Sequence, residues 1–126
     1  MKSATIMATV LKNSMVRYTM YENNLFVGCV RYKMNKPNSV LCRMNISSTY
    51  RNKGYGSRIL ELSERSLCES FDIQRIHLTA WQPAGSSNIV DFYQKNGFDS
   101  STDTSYVYDD YVQLYDLYPM SKSISE

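Results

Sequence analysis

Histidine and cysteine are scarce in this chain of 126 residues, and the few present form no recognisable site. The only histidine is His77, and the three cysteines, Cys29, Cys42 and Cys68, stand far apart with no C-x-x-C pair. That spacing excludes the usual zinc site and a paired disulfide framework, so no metal is expected and the thiols are read as free and buried. Long apolar runs are missing too. Nothing approaches the roughly 18 consecutive apolar residues of a membrane span. Met1–Met7 carries a lysine but is followed by no continuous apolar region or small-residue cleavage site, and the expected location is the cytoplasm. The net charge is only +2, too small by itself to imply a nucleic-acid partner. A chain of this length, 43% hydrophobic, fits one globular domain over residues 1–126 with a frayed tail at 119–126.

What is present is a run of alternating segments. Thr5–Leu11 reads as a first strand. Met15–Tyr21 and Leu25–Met34, rich in Val, Tyr, Phe and Met, flank Glu22-Asn23-Asn24 and read as an antiparallel hairpin. Asn35–Asn38 is a turn by composition, and Val40–Ile46 follows as a further strand. From Tyr55 to Phe71 the period changes to that of an amphipathic helix. Ile59, Leu60, Leu62, Leu67 and Phe71 define its inner face, with Arg58, Glu61, Glu64, Arg65 and Glu69 mostly outside. Gln74–Trp81 reads as a strand, broken by Pro83-Ala84-Gly85. Ser86 or Ser87 is placed to cap a second helix running to Asn96, with Gly97 at its left-handed end. Thr104–Tyr108 and Tyr111–Leu117 suggest a last hairpin around Asp109-Asp110.

The chemistry concentrates between Val40–Ile46 and the first helix, in Arg51-Asn52-Lys53-Gly54-Tyr55-Gly56-Ser57. The first turn of a helix leaves backbone N–H groups unpaired, and the helix dipole favours an anion there. Gly54 and Gly56 remove the Cβ atoms that would hold a diphosphate off the backbone. Ser57 adds a hydroxyl, and Arg51 and Lys53, with Arg58 nearby, supply positive charge. The dinucleotide fingerprint would need a third glycine where Ile59 stands, and the nucleoside-triphosphate loop would need a lysine directly after its last glycine, where Ser57 stands.

Asn45–Ser57 resembles the central motif of the GCN5-related N-acetyltransferase (GNAT) family. In that family an apolar strand ends five residues before (Arg/Gln)-x-x-Gly-x-(Gly/Ala). Ile46 takes the apolar place, Tyr50-Arg51 matches a common pair, and Ser48 replaces the usual proline. Asn88–Phe98 resembles the second signature, a helix ending Tyr-x-x-x-Gly-Phe. The resemblance implies a mixed α/β (α+β) fold. Its largely antiparallel sheet has about six to seven strands, is splayed between the fourth and fifth, and is flanked by two main helices with reduced N-terminal ones. It also implies acetyl-coenzyme A as cosubstrate. Arg51, Asn52, Lys53, Gly54, Tyr55, Gly56 and Ser57 would hold its pyrophosphate. The backbone at Met44, Asn45 and Ile46 would pair with the pantetheine arm, and Asn88 would either reach the cofactor or cap its helix.

The resemblance also makes Tyr93 the catalytic residue, set near the thioester sulfur as a proton or hydrogen-bond donor. A backbone N–H beside Ile46 would serve the oxyanion. The general base has no motif; Glu22, His77, Asp109 and Asp110 are the candidates. The implied activity is acetyl transfer to a primary amine. With only 14 residues before Met15 there is no room for two N-terminal helices, which favours an open acceptor side suited to a protein lysine or N-terminus. A catalytically silent acyl-coenzyme A sensor is the alternative. A nucleic-acid role for the 11 tyrosines is disfavoured, because Tyr106, Tyr108, Tyr111, Tyr115 and Tyr118 sit among acids. Those tyrosines suit an association surface instead, and hence a homodimer.

Overall fold

The structure is a computed structural model, described over residues 4–100, 106–109 and 114–125. It divides into two compact units, residues 1–76 with 124–126, and residues 77–123. The expected elements are present: a mixed, mostly antiparallel sheet and two helices.

In the first unit, β1 (Ala4–Leu11), β2 (Met15–Glu22), β3 (Leu25–Asn35) and β4 (Asn38–Ile46) form an antiparallel meander in that order. Short turns close it. Asn13 and Ser14 at the first turn and Asn23 and Asn24 at the second take positive φ, which asparagine tolerates better than most residues. β1 joins β2 through only Lys12-Asn13-Ser14, so no helix stands between them. The register slips between Arg31 and Tyr32, leaving Cys42 as an extra residue in β4, a bulge that bends the strand ahead of its functional end. Cys42 is exposed there, against the expectation of a buried thiol; Cys29 and Cys68 are half-buried, and all three are free.

α1 spans Tyr55–Phe71, the bounds its periodicity predicts. It packs on the sheet through Tyr55, Ile59, Leu60, Ser63, Glu64 and Leu67. Two serines belong to this contact for a reason. Tyr18 of β2 and Tyr32 of β3 are fully buried and pack edge to face at 6.0 Å. Their hydroxyls, which cannot stay unpaired in a core, meet Ser66 Oγ at 2.9 Å and Ser63 Oγ at 2.7 Å. Glu64, expected on the outer face, is only 7% exposed, whereas Leu62 and Phe71 are half-buried. After α1, the Gln74 amide donates to Pro37 O at 2.7 Å, which sets the first residue of β5 (Arg75–Pro83) beside the start of β4.

The second unit holds the rest of β5, α2 (Asn88–Lys95), β6 (Asp99–Ser100), β7 (Tyr106–Asp109) and β8 (Leu114–Ser123). Its strand order is β5-β8-β6, with β7 paired to β8. The expected final hairpin lies partly outside the described residues, at 104–105 and 110–113. The expected frayed tail is corrected. Asp99 and Ser100 pair with Ser121 and Met120, Met120 is buried at 1% exposure, and the strand continues to Ser123. The pairing is long-range, which a polar C-terminal composition does not reveal.

Candidate active site

β4 ends at Ile46, a 3-10 turn follows at Ser48–Tyr50, and Arg51 continues extended into the loop. Asn52 has φ 60° and Gly54 φ 88°, ψ 1°. Gly54 is the N-cap of α1 in a left-handed conformation, which explains the glycine. The helix starts with no side-chain cap and no acid in its first turn. The Arg58 amide closes the first intrahelical bond, to Gly54 O at 3.2 Å. The amides of Tyr55, Gly56 and Ser57 therefore have no intrahelical acceptor, and Arg51–Gly54 are exposed. A helix N-terminus with free amides and no carboxylate of its own is the arrangement a diphosphate requires.

The cations around this loop shape it. Arg51 Nε donates to Ile46 O at 2.8 Å, tying the loop back to the end of β4, and Lys53 Nζ donates to Thr49 O at 3.1 Å. Arg51 spends one of its five N–H donors in this way. Arg58 Nη1 lies 3.0 Å from Glu61 Oε1, which is also 3.6 Å from Arg65 Nη2, so its charge is shared along the helix. On β4, Met44 and Ile46 are half-buried and Asn45 is exposed. The amide just beyond Ile46, that of Ser47, donates to Val27 O at 2.8 Å. That amide is therefore not open to an oxyanion.

The Tyr55 side chain is engaged within the fold. Its ring is 8% exposed, packs edge to face on Tyr50 at 5.2 Å, and points its hydroxyl at Glu22 Oε2, 2.5 Å away. Only its backbone is left for a ligand. The hydrogen bond to Glu22, then burial, then the Glu22 charge push the phenol up to about 12. Glu22, one of the candidate bases, is thereby engaged as an acceptor.

In the second unit the organising residue is Gln82, which sequence reasoning passed over. It is 1% exposed. Gln82 Oε1 accepts the amides of Ile89 at 2.8 Å and Val90 at 2.9 Å, and Nε2 donates to Ser86 Oγ at 2.6 Å and Asn88 Oδ1 at 3.0 Å. The side chain from β5 thus caps α2. Ser87 occupies the N-cap position but makes no side-chain cap bond, its hydroxyl going to Asp91 Oδ2 at 2.8 Å. The available signal was a glutamine on a strand just before a Pro-Ala-Gly turn. Asn88 is exposed, with Oδ1 facing Gln82.

Tyr93 lies on α2, half-buried, with its ring edge to face on Phe92 at 5.3 Å and on fully buried Phe98 at 5.7 Å. Phe98 is placed by the helix end. Gly97 has φ 92°, and the Phe98 amide donates to Tyr93 O at 3.0 Å. Two aromatic neighbours fix the Tyr93 ring, burial raises its phenol above the ordinary value, and its hydroxyl makes no hydrogen bond among the described residues. Of the other candidate bases, His77 is half-buried on β5, Asp109 ends β7, and Asp110 lies outside the described residues. Among the described residues no cluster of three or more His, Cys, Asp or Glu is arranged to hold a metal. No helix is long and apolar enough to cross a membrane.

The family model for the acetyltransferase (GNAT) domain matches residues 15–100, more than half of the chain, and takes in both signatures. This chain belongs to the GNAT acetyltransferase family. Acetyl-coenzyme A is the cosubstrate of that family. Solved structures of the family share the fold. A spermidine/spermine N-acetyltransferase from Vibrio cholerae superposes with TM-score 0.81 at 12% identity, covering 98% of this chain and 94% of that one. A GNAT acetyltransferase from Elizabethkingia anophelis with acetyl-CoA bound gives 0.76 at 13%, covering 98% and 99%. The ribosomal-protein-S18-alanine N-acetyltransferase of Escherichia coli gives 0.76 at 17%, covering 92% and 73%. Comparison with curated proteins finds no match.

Proposed function

We propose that the chain is a cytoplasmic, single-domain N-acetyltransferase that moves the acetyl group of acetyl-coenzyme A to a primary amine of a protein, a lysine or an N-terminus. The observation that carries this reading is the uncapped N-terminus of α1 after the loop that leaves β4, with Gly54 left-handed and the first amides without intrahelical acceptors. That donor set fits a diphosphate. Gly54, Tyr55, Gly56 and Ser57 would hold it through backbone N–H groups, with Arg51 and Lys53 as nearby cations, while the edge of β4 at Met44–Ile46 takes the pantetheine arm. Asn88 accepts from Gln82 through Oδ1 and serves the site by holding the start of α2.

Tyr93 is the donor to the sulfur in this reading. A phenol ordinarily near 10 and a thiol near 8.5 differ by about 1.5 units, and burial of Tyr93 widens the gap. Complete proton transfer to the departing thiolate is therefore uphill, and a hydrogen bond to sulfur is the larger part of the residue's work. An amine acceptor must be unprotonated to attack, which costs about 4 to 5 kcal/mol for an ordinary lysine at neutral pH.

The protein acceptor is inferred from the three-residue turn Lys12–Ser14. Where a helical segment would wall the acceptor side, this chain has a tight hairpin. Labelled acetyl-coenzyme A offered with mixed proteins and free polyamines tests the assignment. Label in protein amines is expected. Turnover of polyamines alone would reject the acceptor class, and no transfer to any amine would favour the silent sensor.

A further inference from the structure

Glu22, Tyr55 and Tyr50 form a group that the chemistry of acetyl transfer does not use. Glu22 is the last residue of β2, Tyr50 ends the turn after β4, and Tyr55 is the first residue of α1. The three come together in the first unit. The Tyr55 hydroxyl donates to Glu22 Oε2 at 2.5 Å, and the Tyr50 ring meets the Tyr55 ring edge to face at 5.2 Å, 79° between planes. The bond is charge-assisted, and such bonds are roughly twice as strong as neutral ones. It is also placed at a mechanically sensitive point. Tyr55 carries one of the first amides of the helix, and its neighbours Gly54 and Gly56 are the two most permissive backbone positions of the loop. Among the described residues, the rest of the loop is tied by side chains to itself and to β4, by Arg51 on Ile46 O and Lys53 on Thr49 O, both at exposed sites.

We infer that Glu22 and Tyr55, with Tyr50 packed against them, are positioning residues for the diphosphate of coenzyme A. They pin the start of α1 to the β2–β3 hairpin so that the amides of Tyr55, Gly56 and Ser57 are held in a fixed direction before the ligand arrives. Pre-organised donors bind an anion without the cost of ordering a glycine-rich loop at the moment of binding. The inference rests on the proposed coenzyme A reading, and it assigns Glu22 to cofactor affinity rather than to acceptor deprotonation.

Calorimetric titration of coenzyme A into the wild type, Tyr55→Phe, Glu22→Ala and Glu22→Gln tests it, each protein held well below its unfolding midpoint. Tyr55→Phe and Glu22→Ala should each weaken the Kd roughly tenfold, the scale of losing one hydrogen bond to a charged group. Glu22→Gln keeps an acceptor for the phenol and should restore most of the affinity. The double variant Tyr55→Phe/Glu22→Ala should bind no more weakly than either single one. Wild-type affinity in folded Tyr55→Phe and Glu22→Ala overturns the inference. A purely structural bond would lower the unfolding midpoint and leave the Kd alone. A wild type with no affinity for coenzyme A defeats the proposed function instead, so the two failures are distinguishable. The wild type provides a check that needs no variant. By linkage, coenzyme A must slow exchange of the Tyr55 hydroxyl proton, and an unchanged exchange rate contradicts the pin.

Discussion

Gly28 sits opposite Ile46 across the β3–β4 ladder so closely that a Cβ on the glycine would stand 2.7 Å from Ile46 Cδ1. The same Cβ would lie 2.5 Å from Asn45 O, and a strand carbonyl in a paired ladder cannot give way as a side-chain tip can. Ile46 ends β4, and its carbonyl accepts Arg51 Nε, so the glycine sets the position from which the phosphate loop departs.

Gly28→Ala should therefore destabilise the fold by roughly 1 to 3 kcal/mol, the usual cost of overpacking. It should also weaken coenzyme A binding, because the end of β4 must shift. Urea unfolding with a parallel titration checks both. A substitution without effect on either would show that the close approach relaxes freely.

Tyr93→Phe isolates the chemistry. The ring contacts to Phe92 and Phe98 survive the change, and the hydroxyl it removes has no hydrogen bond among the described residues. Stability and coenzyme A affinity should stay near wild type while kcat falls by about 100-fold or more, the range for a lost donor in the transition state. Unchanged turnover would leave Tyr93 a packing residue.

How much of this was legible beforehand differed from element to element. The bounds of α1 followed from a change of period at Tyr55, and the two signatures gave the family because they lie within contiguous sequence. Glu64 was misread because a charge at the border of an apolar stripe was assigned outward, although the position packs among Leu60, Ser63 and Leu67 on the inner face. Gln82 was illegible for another reason. It caps amides seven and eight residues further on, across a turn whose geometry no local pattern encodes. Tyr55 carried the same lesson: only the fold revealed that its side chain belongs to Glu22.

Gln82→Leu follows from that geometry. Losing the side-chain acceptor strands two amides at the start of α2, a loss of about 1 to 3 kcal/mol. Hydrogen exchange should quicken first at Ile89 and Val90. If protection there were unchanged, the cap would be supplied by something other than Gln82.

The phenol of Tyr55 gives a pH signature. Its folded pKa, pushed up to about 12, lies above the ordinary value near 10, so it stays a neutral donor when other phenols ionise. The stabilisation it gives is complete below pH 10 and lost as pH rises through 12. Burial also raises the phenols of Tyr18 and Tyr93, so absorbance titration near 295 nm should show several late phenols, of which one moves earlier in Glu22→Ala. A titration identical in the two proteins would mean that the bond to Glu22 does not form in solution.

The proposed function depends most on backbone amides at the start of α1 gripping a diphosphate. Amide resonances followed while coenzyme A is added measure that grip directly. Large, saturable shifts are expected at Gly54, Tyr55, Gly56 and Ser57. Resonances there that stay still at saturating coenzyme A would contradict it.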